Sequence, residues 1–450
     1  MNQRTPLRAV VVGAGIAGLT TARDLAAAGY EVVVLEASAQ AGGKILAHEV
    51  AGVRVDVGAE AMVNRRPEGV ALAGELGLDL VHPTSASARI WTRGALRRLP
   101  RTLMGAPLDL DALETSGILS PAGMHRARHR YAGSWPADAS VGDIVAEQYG
   151  DEVVDRIVEP LLGGVSAGYA RAISAAAAMP QLLALAAHGD ILEQAAALPV
   201  SDVPVFAGLV GGMSTLVDAL AADLDVRTST TVRELHRTSD GFRLVSGPTT
   251  DPVAWPADRV VLAVPAAPTA RLLGELVGVG ELAEIEYASM AVVTLAFRAA
   301  DLPVGMDEAS GFLVPPIDGR RIKAATFSFA KWDWVRAAGG GLALLRTSLG
   351  RLGEEHVLQR DDADLVADSL ADLRDATGLT ATPVDAFVQR WGGGLPQYAV
   401  GHLDRVARIR AAVATVPGLA VCGAAYDGVG IAACIASGHA AASASSSVAV

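Results

Sequence analysis

The chain has 450 residues, long enough for roughly two to three domains with a substantial core. Lys and Arg total 37 against 49 Asp and Glu, a formal net charge of −12 that disfavours a nucleic-acid-binding surface, because such surfaces are basic. The 2 cysteines are too few for a disulfide framework or a metal site, so we expect neither.

The first recognisable unit lies within residues 7–37. The apolar run at 10–12 predicts a buried parallel strand, and the loop at 13–18 has the spacing GxGxxG. A helix is expected from residue 19 to about 28, and a second strand over 31–35. This order of strand, glycine loop, helix and strand is typical of a dinucleotide-binding unit.

Each glycine of the loop has a physical role in that interpretation. Gly13 permits the tight turn, Gly15 lets the backbone approach a pyrophosphate, and Gly18 lets helix and strand pack closely. Ile16 and Ala17 lie where the start of the helix offers N–H groups and a positive dipole end to phosphates. An ordinary βαβ unit with fortuitous glycines is the alternative.

Glu36 ends the second strand, 18 residues after Gly18 and close to the spacing of about 20 expected for the acid that binds ribose hydroxyls. Its charge would repel a 2′-phosphate, which disfavours NADP. The segment that follows bears on the choice between FAD and NAD. It contains two adjacent glycines followed by a cation, and a glycine turn comes later. These elements are Ala37, Gly42, Gly43, Lys44, Gly58 and Ala59.

Such a pair of elements resembles the FAD-dependent amine oxidase superfamily. The resemblance implies that the loop at 42–44 lies along the FAD diphosphate and that the turn at 58–59 passes close to the flavin. The alternative for Lys44 is a solvated loop cation. We therefore expect FAD as the cofactor and no metal.

Beyond residue 60 the pattern changes. Prolines divide residues 100–200 into short predicted helices, with Ser140 as a predicted N-cap. Strand patterns at 225–264 indicate that the nucleotide unit resumes, and the alternation over 287–350 predicts antiparallel strands. A further helix is expected over 361–377.

The C-terminal region contains the most specific motif. A strand at 419–422, a glycine turn and an alanine-rich helix predict a second set of inward N–H groups for the ribityl–phosphate arm of a flavin. The run RWxxxLPQYxVGHLDRVxRI…GLAVCGxAYDGVGIxxCIASG is similar to that of oxygen-dependent protoporphyrinogen/coproporphyrinogen oxidases. Blocks at 140–143, 150–164 and 312–316, with Lys331-Trp332, agree. The resemblance extends from residue 8 to about 442.

The resemblance implies an α/β fold with three parts. A Rossmann-like FAD-binding domain would be assembled from separate segments, with a mostly helical insertion and an α+β substrate domain that contains an antiparallel sheet. The expected ranges are 1–65, 206–270 and 395–450 for the FAD domain, 95–200 for the helical domain, and 66–94 with 271–394 for the substrate domain.

It also implies an activity in haem biosynthesis. The monoderm bacterial branch oxidises coproporphyrinogen III to coproporphyrin III in three two-electron steps, with O2 reduced to H2O2, whereas a membrane-associated branch acts on protoporphyrinogen IX. Because the flavin carries this chemistry, the resemblance assigns no particular catalytic side chain, and the identity of any proton acceptor stays open. A transient contact with ferrochelatase is a further expectation. An amine oxidase, a carotenoid desaturase or a porphyrin-binding chaperone are the alternatives.

The same resemblance assigns individual residues. Arg89 aligns with a propionate-binding arginine, and a solvated surface arginine is the alternative. The Val232 backbone is placed against adenine, where an ordinary strand valine is the alternative. The remaining expected cofactor contacts are Gly423, Val429, Gly430 and Ile431. Weaker candidates for the substrate are Arg65, Arg93, Arg97 and Arg171. For Tyr398 and His402, holding the C-terminal turn and contacting substrate are equally open interpretations.

Two departures from the family pattern bear on geometry. Gly392-Gly393-Gly394 replaces more polar residues, which predicts a looser loop. Gly58-Ala59-Glu60 replaces a commoner Gly-Pro-Asp turn.

Hydrophobic residues make up 51% of the chain, but alanine accounts for most of the excess. No stretch of about 20 strongly apolar residues predicts a membrane span. The N-terminus also lacks a charged-then-apolar signal. We expect a cytoplasmic protein without a transmembrane segment; contact between its surface and a membrane is left open.

Overall fold

The computed structural model describes residues 6–103, 105–131, 133–198, 203–274 and 276–444. The remaining positions, some of which fall in the domain ranges expected above, lie outside the described residues. None of the helices in the described ranges combines the length and the apolar composition that a membrane span requires.

Strands and helices alternate in a complex order along the chain. The strands are β1 (Arg8–Val12), β2 (Glu31–Leu35), β3 (Ala47–Val50), β4 (Val53–Asp56), β5 (Met62–Val63), β6 (Leu80–Val81), β7 (Ser87–Thr92), β8 (Ala95–Arg98), β9 (Thr102–Leu103), β10 (Ala106–Pro107), β11 (Phe206–Leu209), β12 (Asp225–Arg227), β13 (Val232–Thr238), β14 (Gly241–Ser246), β15 (Val253–Ala257), β16 (Arg259–Leu262), β17 (Tyr287–Arg298), β18 (Ala309–Leu313), β19 (Ile322–Thr326), β20 (Leu342–Leu349), β21 (Asp385–Pro396) and β22 (Leu419–Val421). The helices are α1 (Ile16–Ala27), α2 (Pro67–Glu75), α3 (Leu110–Ser116), α4 (Pro121–Arg128), α5 (Val141–Tyr149), α6 (Asp151–Val153), α7 (Glu159–Ser166), α8 (Ala175–Ala178), α9 (Pro180–Ala187), α10 (Ile191–Ala196), α11 (Ser214–Ala221), α12 (Ala266–Leu273), α13 (Ser328–Lys331), α14 (Asp333–Gly339), α15 (Asp362–Thr377), α16 (His402–Ala414) and α17 (Ile431–Ala444).

A five-stranded parallel sheet with the order β12-β2-β1-β16-β22 organises the nucleotide unit. Successive residues of its central strand β1 are apolar, because other elements pack on both faces of the sheet. Ala9 and Val11 pack with α1, α11 and α17, whereas Val10 and Val12 pack with the β13-β14-β15 meander and with α12 and α16. The predicted strand–helix–strand order is confirmed, with α1 beginning at Ile16, three residues before its predicted start.

A seven-stranded sheet with the order β21-β17-β20-β19-β18-β7-β8 forms the second unit. Its neighbours are antiparallel, as predicted, except that β18 and β7 run parallel. The prediction of a loose loop at 392–394 is wrong, since these glycines lie inside β21. Pairing with β17 holds them there across a bulge, and the Gly393 N–H donates to Ser289 Oγ at 3.0 Å.

Short helices α3 to α10 form a helical layer with its own core, as expected for residues 100–200. Ser140 is the predicted N-cap of α5, its Oγ accepting the Asp143 N–H at 3.0 Å. Two edges of the expected domain ranges cut through packed elements: β8 pairs with β7, and Leu72 of α2 packs in the core of the nucleotide unit. The division into domains therefore stays a prediction, while the mixed α/β class is confirmed.

Helices α1 and α17 approach closely at Gly438. A Cβ on Gly438 would lie 2.6 Å from the Ala17 carbonyl oxygen, and the Thr21 hydroxyl donates to the Gly438 carbonyl oxygen at 3.0 Å. These contacts leave no room for a side chain at Gly438.

We predict that Gly438→Ala lowers the free energy of unfolding by about 1–3 kcal/mol, because the methyl group forces the two helices apart. Gly74→Ala is the matched control, since Gly74 is also helical but has open space around its Cβ position. That control should stabilise the protein by up to about 1 kcal/mol through helix propensity. Denaturant titration of both variants checks the pair, and equal effects would contradict the steric explanation.

Candidate functional site: a dinucleotide cavity at the edge of the parallel sheet

The carboxyl ends of four parallel strands surround one cavity of about 390 Å³. Gly13 follows β1, Glu36 follows β2, Ala263 follows β16, and Gly423 comes two residues after β22. In open parallel sheets, ligands bind outside the carboxyl ends of the strands, where loops rather than strands form the surface.

The first glycine loop has the geometry that its sequence predicts. Gly13 has a φ of +103°, and a Cβ there would lie 2.8 Å from the Ala263 carbonyl oxygen. A Cβ on Gly15 would have open space, because this residue borders the cavity. Gly18 does not line the cavity; its Cβ would lie 2.0 Å from the Gly13 carbonyl oxygen, so it serves the packing of helix on turn.

Glu36 is oriented by the same loop. One carboxylate oxygen accepts the Ala14 N–H at 2.7 Å, and the other accepts the Ser38 N–H and hydroxyl, both at 2.8 Å. An ionised carboxylate has about four acceptor sites, so three bonds leave capacity for a ligand hydroxyl.

The second glycine loop lies against the first. The Gly42 N–H donates to the Ala14 carbonyl oxygen at 2.8 Å, and Gly43 has a φ of +58°. Lys44 lines the cavity, and burial lowers the pKa of its ammonium group, which the neighbouring Cys434 thiol partly offsets. No described carboxylate forms an ion pair with Lys44, which leaves a positive charge available to an anionic ligand.

The C-terminal turn closes the cavity. Gly423, with a φ of +114°, donates its N–H to Ser437 Oγ at 3.1 Å, and α17 begins at Ile431 on the cavity wall. Tyr398 and His402 support this turn from behind: the Tyr398 hydroxyl donates to the Ala424 carbonyl oxygen at 2.5 Å, and His402 Nε2 lies 3.1 Å from the Tyr426 carbonyl oxygen. Their rings stack at 4.1 Å. Of the two open interpretations, the structural one accounts for every contact named here.

Burial lowers the pKa of His402, so this imidazole is neutral at physiological pH. A neutral ring donates only one N–H, and the Tyr426 carbonyl oxygen accepts it. His402 thereby ties the helix α16 to the cavity turn without adding a charge.

The structure brings together nearly all of the cofactor residues expected from the sequence. Gly18, Gly58 and Gly430 are the exceptions: they do not line the cavity, although each is adjacent in sequence to a residue that does. Several other lining residues were not predicted from the sequence, because they belong to no recognisable glycine or charge motif. They are Thr230, Thr231, Ala263, Val264, Pro265, Pro268, Arg271, Leu272, Ala424 and Cys434. For Arg271, its place on the first helix after β16 was the only available signal; its Nη2 donates to the Val232 carbonyl oxygen at 3.4 Å.

Arg89 lies outside this cavity, near the edge of the seven-stranded sheet. It pairs with Phe312 of β18 on one side and with Arg98 of β8 on the other. Alternate residues of a strand share a face, so Arg89 lies on the face of Trp91, whose ring centroid is 6.0 Å from that of Phe312. Its role toward a substrate stays a prediction.

The side chains of the weaker arginine candidates already bond to, or lie close to, other groups of the protein. Arg97 donates to the backbone carbonyl oxygens of Thr92 and Ser116, and Arg171 forms an ion pair with Asp151 at 2.6 Å. Arg93 lies 3.8 Å from Glu152, and Arg65 donates to the Val203 carbonyl oxygen at 3.5 Å.

The fold and the cavity together define a dinucleotide-binding α/β protein. A family model described as flavin containing amine oxidoreductase matches residues 16–444. The chain therefore belongs to the flavin containing amine oxidoreductase family. A dinucleotide cavity in a member of this family identifies the cofactor as FAD, as the sequence predicts.

Known proteins of similar length resemble the chain throughout. Coproporphyrinogen III oxidase of Mycobacterium tuberculosis is 37% identical over 452 residues, which cover 96% of this chain and 95% of that protein. The Bacillus subtilis protein of the same name is 29% identical and covers 96% and 97%. A crystal structure from Exiguobacterium, described as a candidate protoporphyrinogen oxidase, is 29% identical with a TM-score of 0.87 and covers 98% of both chains. Putrescine oxidase, 18% identical with a TM-score of 0.69, shows the shared fold alone.

The residues present fit FAD. Helices α1 and α17 both begin at the cavity, and their free N–H groups suit a diphosphate. Glycine at position 15 leaves space for a close backbone approach, and Glu36 retains acceptor capacity for ribose. We infer that these groups and Lys44 hold the diphosphate and ribose of the cofactor.

We predict that Lys44→Met raises the Kd for FAD about 10- to 100-fold, since a charge-assisted hydrogen bond contributes about 1.5–3 kcal/mol. Titration of apoprotein with FAD, followed by flavin fluorescence, measures the change. Arg54→Met is the control, because Arg54 forms an exposed ion pair with Asp218 and does not line the cavity. An unaltered Kd in Lys44→Met would remove Lys44 from the cofactor site.

Proposed function

We propose that this chain oxidises coproporphyrinogen III to coproporphyrin III in haem biosynthesis. The observation that carries the proposal is identity of 37% with the coproporphyrinogen III oxidase of Mycobacterium tuberculosis over 96% of this chain. The reaction removes six hydrogen atoms, so three O2 molecules become three H2O2. When bound, FAD supplies a two-electron acceptor that O2 regenerates, and three cycles complete the oxidation.

The protein contributes position and electrostatics to this chemistry. The cavity exposes glycine backbone, two helix N-termini and Lys44, which has no ion pair with any described carboxylate, and these groups suit the binding of the cofactor. Residues around it are largely apolar, and the two cysteines are buried, with the pKa of Cys422 and Cys434 raised by burial to about 12 and about 11. Neither thiol is therefore a nucleophile at neutral pH, which agrees with a flavin-borne reaction.

The substrate carries four propionates, and we propose that Arg89 binds one of them. Arginine pairs with carboxylates through two parallel hydrogen bonds. Arg89 is half-buried and forms no ion pair with any described acid, unlike Arg97 and Arg171, which other groups already occupy. Its cross-strand neighbour is Arg98, so two cations lie side by side at this edge. This arrangement favours an anionic ligand.

Two further parts of the proposal concern the environment of the reaction. The product is a metal-free porphyrin, which a ferrochelatase must take over, and a transient contact with that enzyme is proposed. A cytoplasmic location is proposed with it, because the substrate and product are tetracarboxylates that dissolve in water.

Turnover on coproporphyrinogen III and protoporphyrinogen IX, measured side by side by porphyrin fluorescence, tests the proposal. We predict that kcat/KM is at least about tenfold higher for coproporphyrinogen III, because one arginine–propionate pair contributes about 1.5–3 kcal/mol and protoporphyrinogen IX has fewer propionates. Equal or reversed values would favour the second substrate. Bound FAD with no porphyrin formed from either substrate would overturn the assignment.

For Arg89, we predict that Arg89→Ala raises KM for coproporphyrinogen III about tenfold while the Kd for FAD stays unchanged, since Arg89 lies away from the cofactor cavity. Arg89→Lys should recover part of the loss, because it keeps the charge but not the paired geometry. Arg243→Ala, an exposed arginine on β14, is the control. An unchanged KM in Arg89→Ala would exclude Arg89 from substrate binding.

A further inference from the structure

A buried ion cluster lies beside the cofactor cavity. Glu60 has only 8% of its side chain exposed, and its carboxylate contacts two cations. Lys331 Nζ donates to Glu60 Oε1 at 2.6 Å, and Arg346 Nη2 lies 3.2 Å from Glu60 Oε2. Burial alone would raise the pKa of Glu60, but Arg346 and Lys331 together hold it at about 2. The carboxylate is therefore ionised throughout the physiological range.

The three charges come from distant parts of the chain. Glu60 lies between β4 and β5, next to the nucleotide unit, whereas Lys331 ends α13 and Arg346 is in the middle of β20. Arg346 pairs with Thr294 and Thr326 on the two flanking strands, so its backbone is held on both sides. The cluster thus joins the turn after β4 to the centre of the seven-stranded sheet.

Arg346 also holds the backbone of that turn. Its Nη1 donates to the Gly58 carbonyl oxygen at 2.7 Å and lies 3.4 Å from the Asp56 carbonyl oxygen. The next residue, Ala59, lines the cofactor cavity and donates its N–H to the Lys44 carbonyl oxygen at 3.0 Å. A displacement of Arg346 would therefore be transmitted directly to the cavity wall.

The charges in this cluster do not cancel. Lys331 and Arg346 contribute two positive charges against one negative charge on Glu60. Burial raises the pKa of the neighbouring Asp56, whose carboxyl group accepts the N–H groups of Met213 and Ser214, to about 7. Near neutral pH Asp56 therefore adds only part of a second negative charge, and the net charge of the cluster stays positive. In a buried environment such charges are weakly screened and act on whatever occupies the adjoining cavity.

We propose that the Lys331–Glu60–Arg346 cluster is a positioning element for the turn at 58–59 and sets the reduction potential of the bound FAD through its charge. Reduction adds negative charge to the cofactor, so a more positive cluster favours the reduced form and a less positive one disfavours it. The proposal rests on the cofactor alone and does not depend on which substrate the enzyme oxidises.

Two substitutions in the cluster change its charge in opposite directions. Glu60→Gln removes a negative charge, and Lys331→Met removes a positive one, while Arg346 remains in both. We expect the reduction potential to rise in Glu60→Gln and to fall in Lys331→Met. Each shift should correspond to about a tenfold change in the equilibrium constant for reduction, or about 30 mV for a two-electron couple. Both variants should also weaken FAD binding, because both loosen the turn.

Potentiometric titration of the holoenzyme with a reference dye, in the absence of substrate, makes this measurement. Lys331→Arg keeps the charge and should retain the wild-type potential, and Arg336→Met removes an exposed cation from the adjacent helix α14 and should leave the potential unchanged. If Glu60→Gln does not fold, Lys331→Met against Lys331→Arg still tests the sign. Shifts in the same direction for the two cluster variants, or no shift, would overturn the proposal. Failure to oxidise coproporphyrinogen III would leave it intact.

Discussion

The close packing of helix α1 on helix α17 is the constraint on which the cofactor site depends. Gly438 contacts the Ala17 carbonyl oxygen so closely that no side chain fits, and the Thr21 hydroxyl bonds to the Gly438 backbone. This contact aligns two helices from opposite ends of the sequence on one face of the parallel sheet. Both helices consequently begin at the same cavity, where the N–H groups of their first turns suit the diphosphate that we infer to bind there.

Polar contacts then connect this nucleotide unit to the seven-stranded sheet. Trp391 of β21 donates its indole N–H to the Val57 carbonyl oxygen at 3.4 Å, and Arg346 of β20 donates to that of Gly58. Glu60 adds a buried ion pair on each side of its carboxylate. A buried charge is costly unless it is paired, so these contacts specify one relative placement of the turn and the sheet. The same contacts therefore fix the position of Ala59 in the cavity wall.

The net charge of −12 gives little information about the site. Much of the arginine excess lies in exposed pairs such as Arg128 with Asp111 and Arg171 with Asp151, which contribute little to stability. Lys44 and Arg271 line the cavity, and Lys331 and Arg346 lie beside it. An acidic protein can thus present positive charge to an anionic cofactor. The electrostatic potential in the cavity is set by the nearby buried cations, because charges on the distant surface are screened by solvent and salt.

The sequence by itself determined the local backbone requirements. Gly13, Gly15 and Gly18 mark a tight turn with close approaches, and Glu36 and Lys44 follow at readable spacings; these features depend on residue type and on near neighbours. Only the tertiary structure decided that Arg271 and Cys434 line the same cavity, that Glu60 is buried between two cations, and that the glycines at 392–394 form a bulged strand. The physical reason is distance along the chain: β17 and β21 are far apart in the sequence, and Lys331 and Glu60 are 271 residues apart, so tertiary packing selects these partners and no local pattern encodes them.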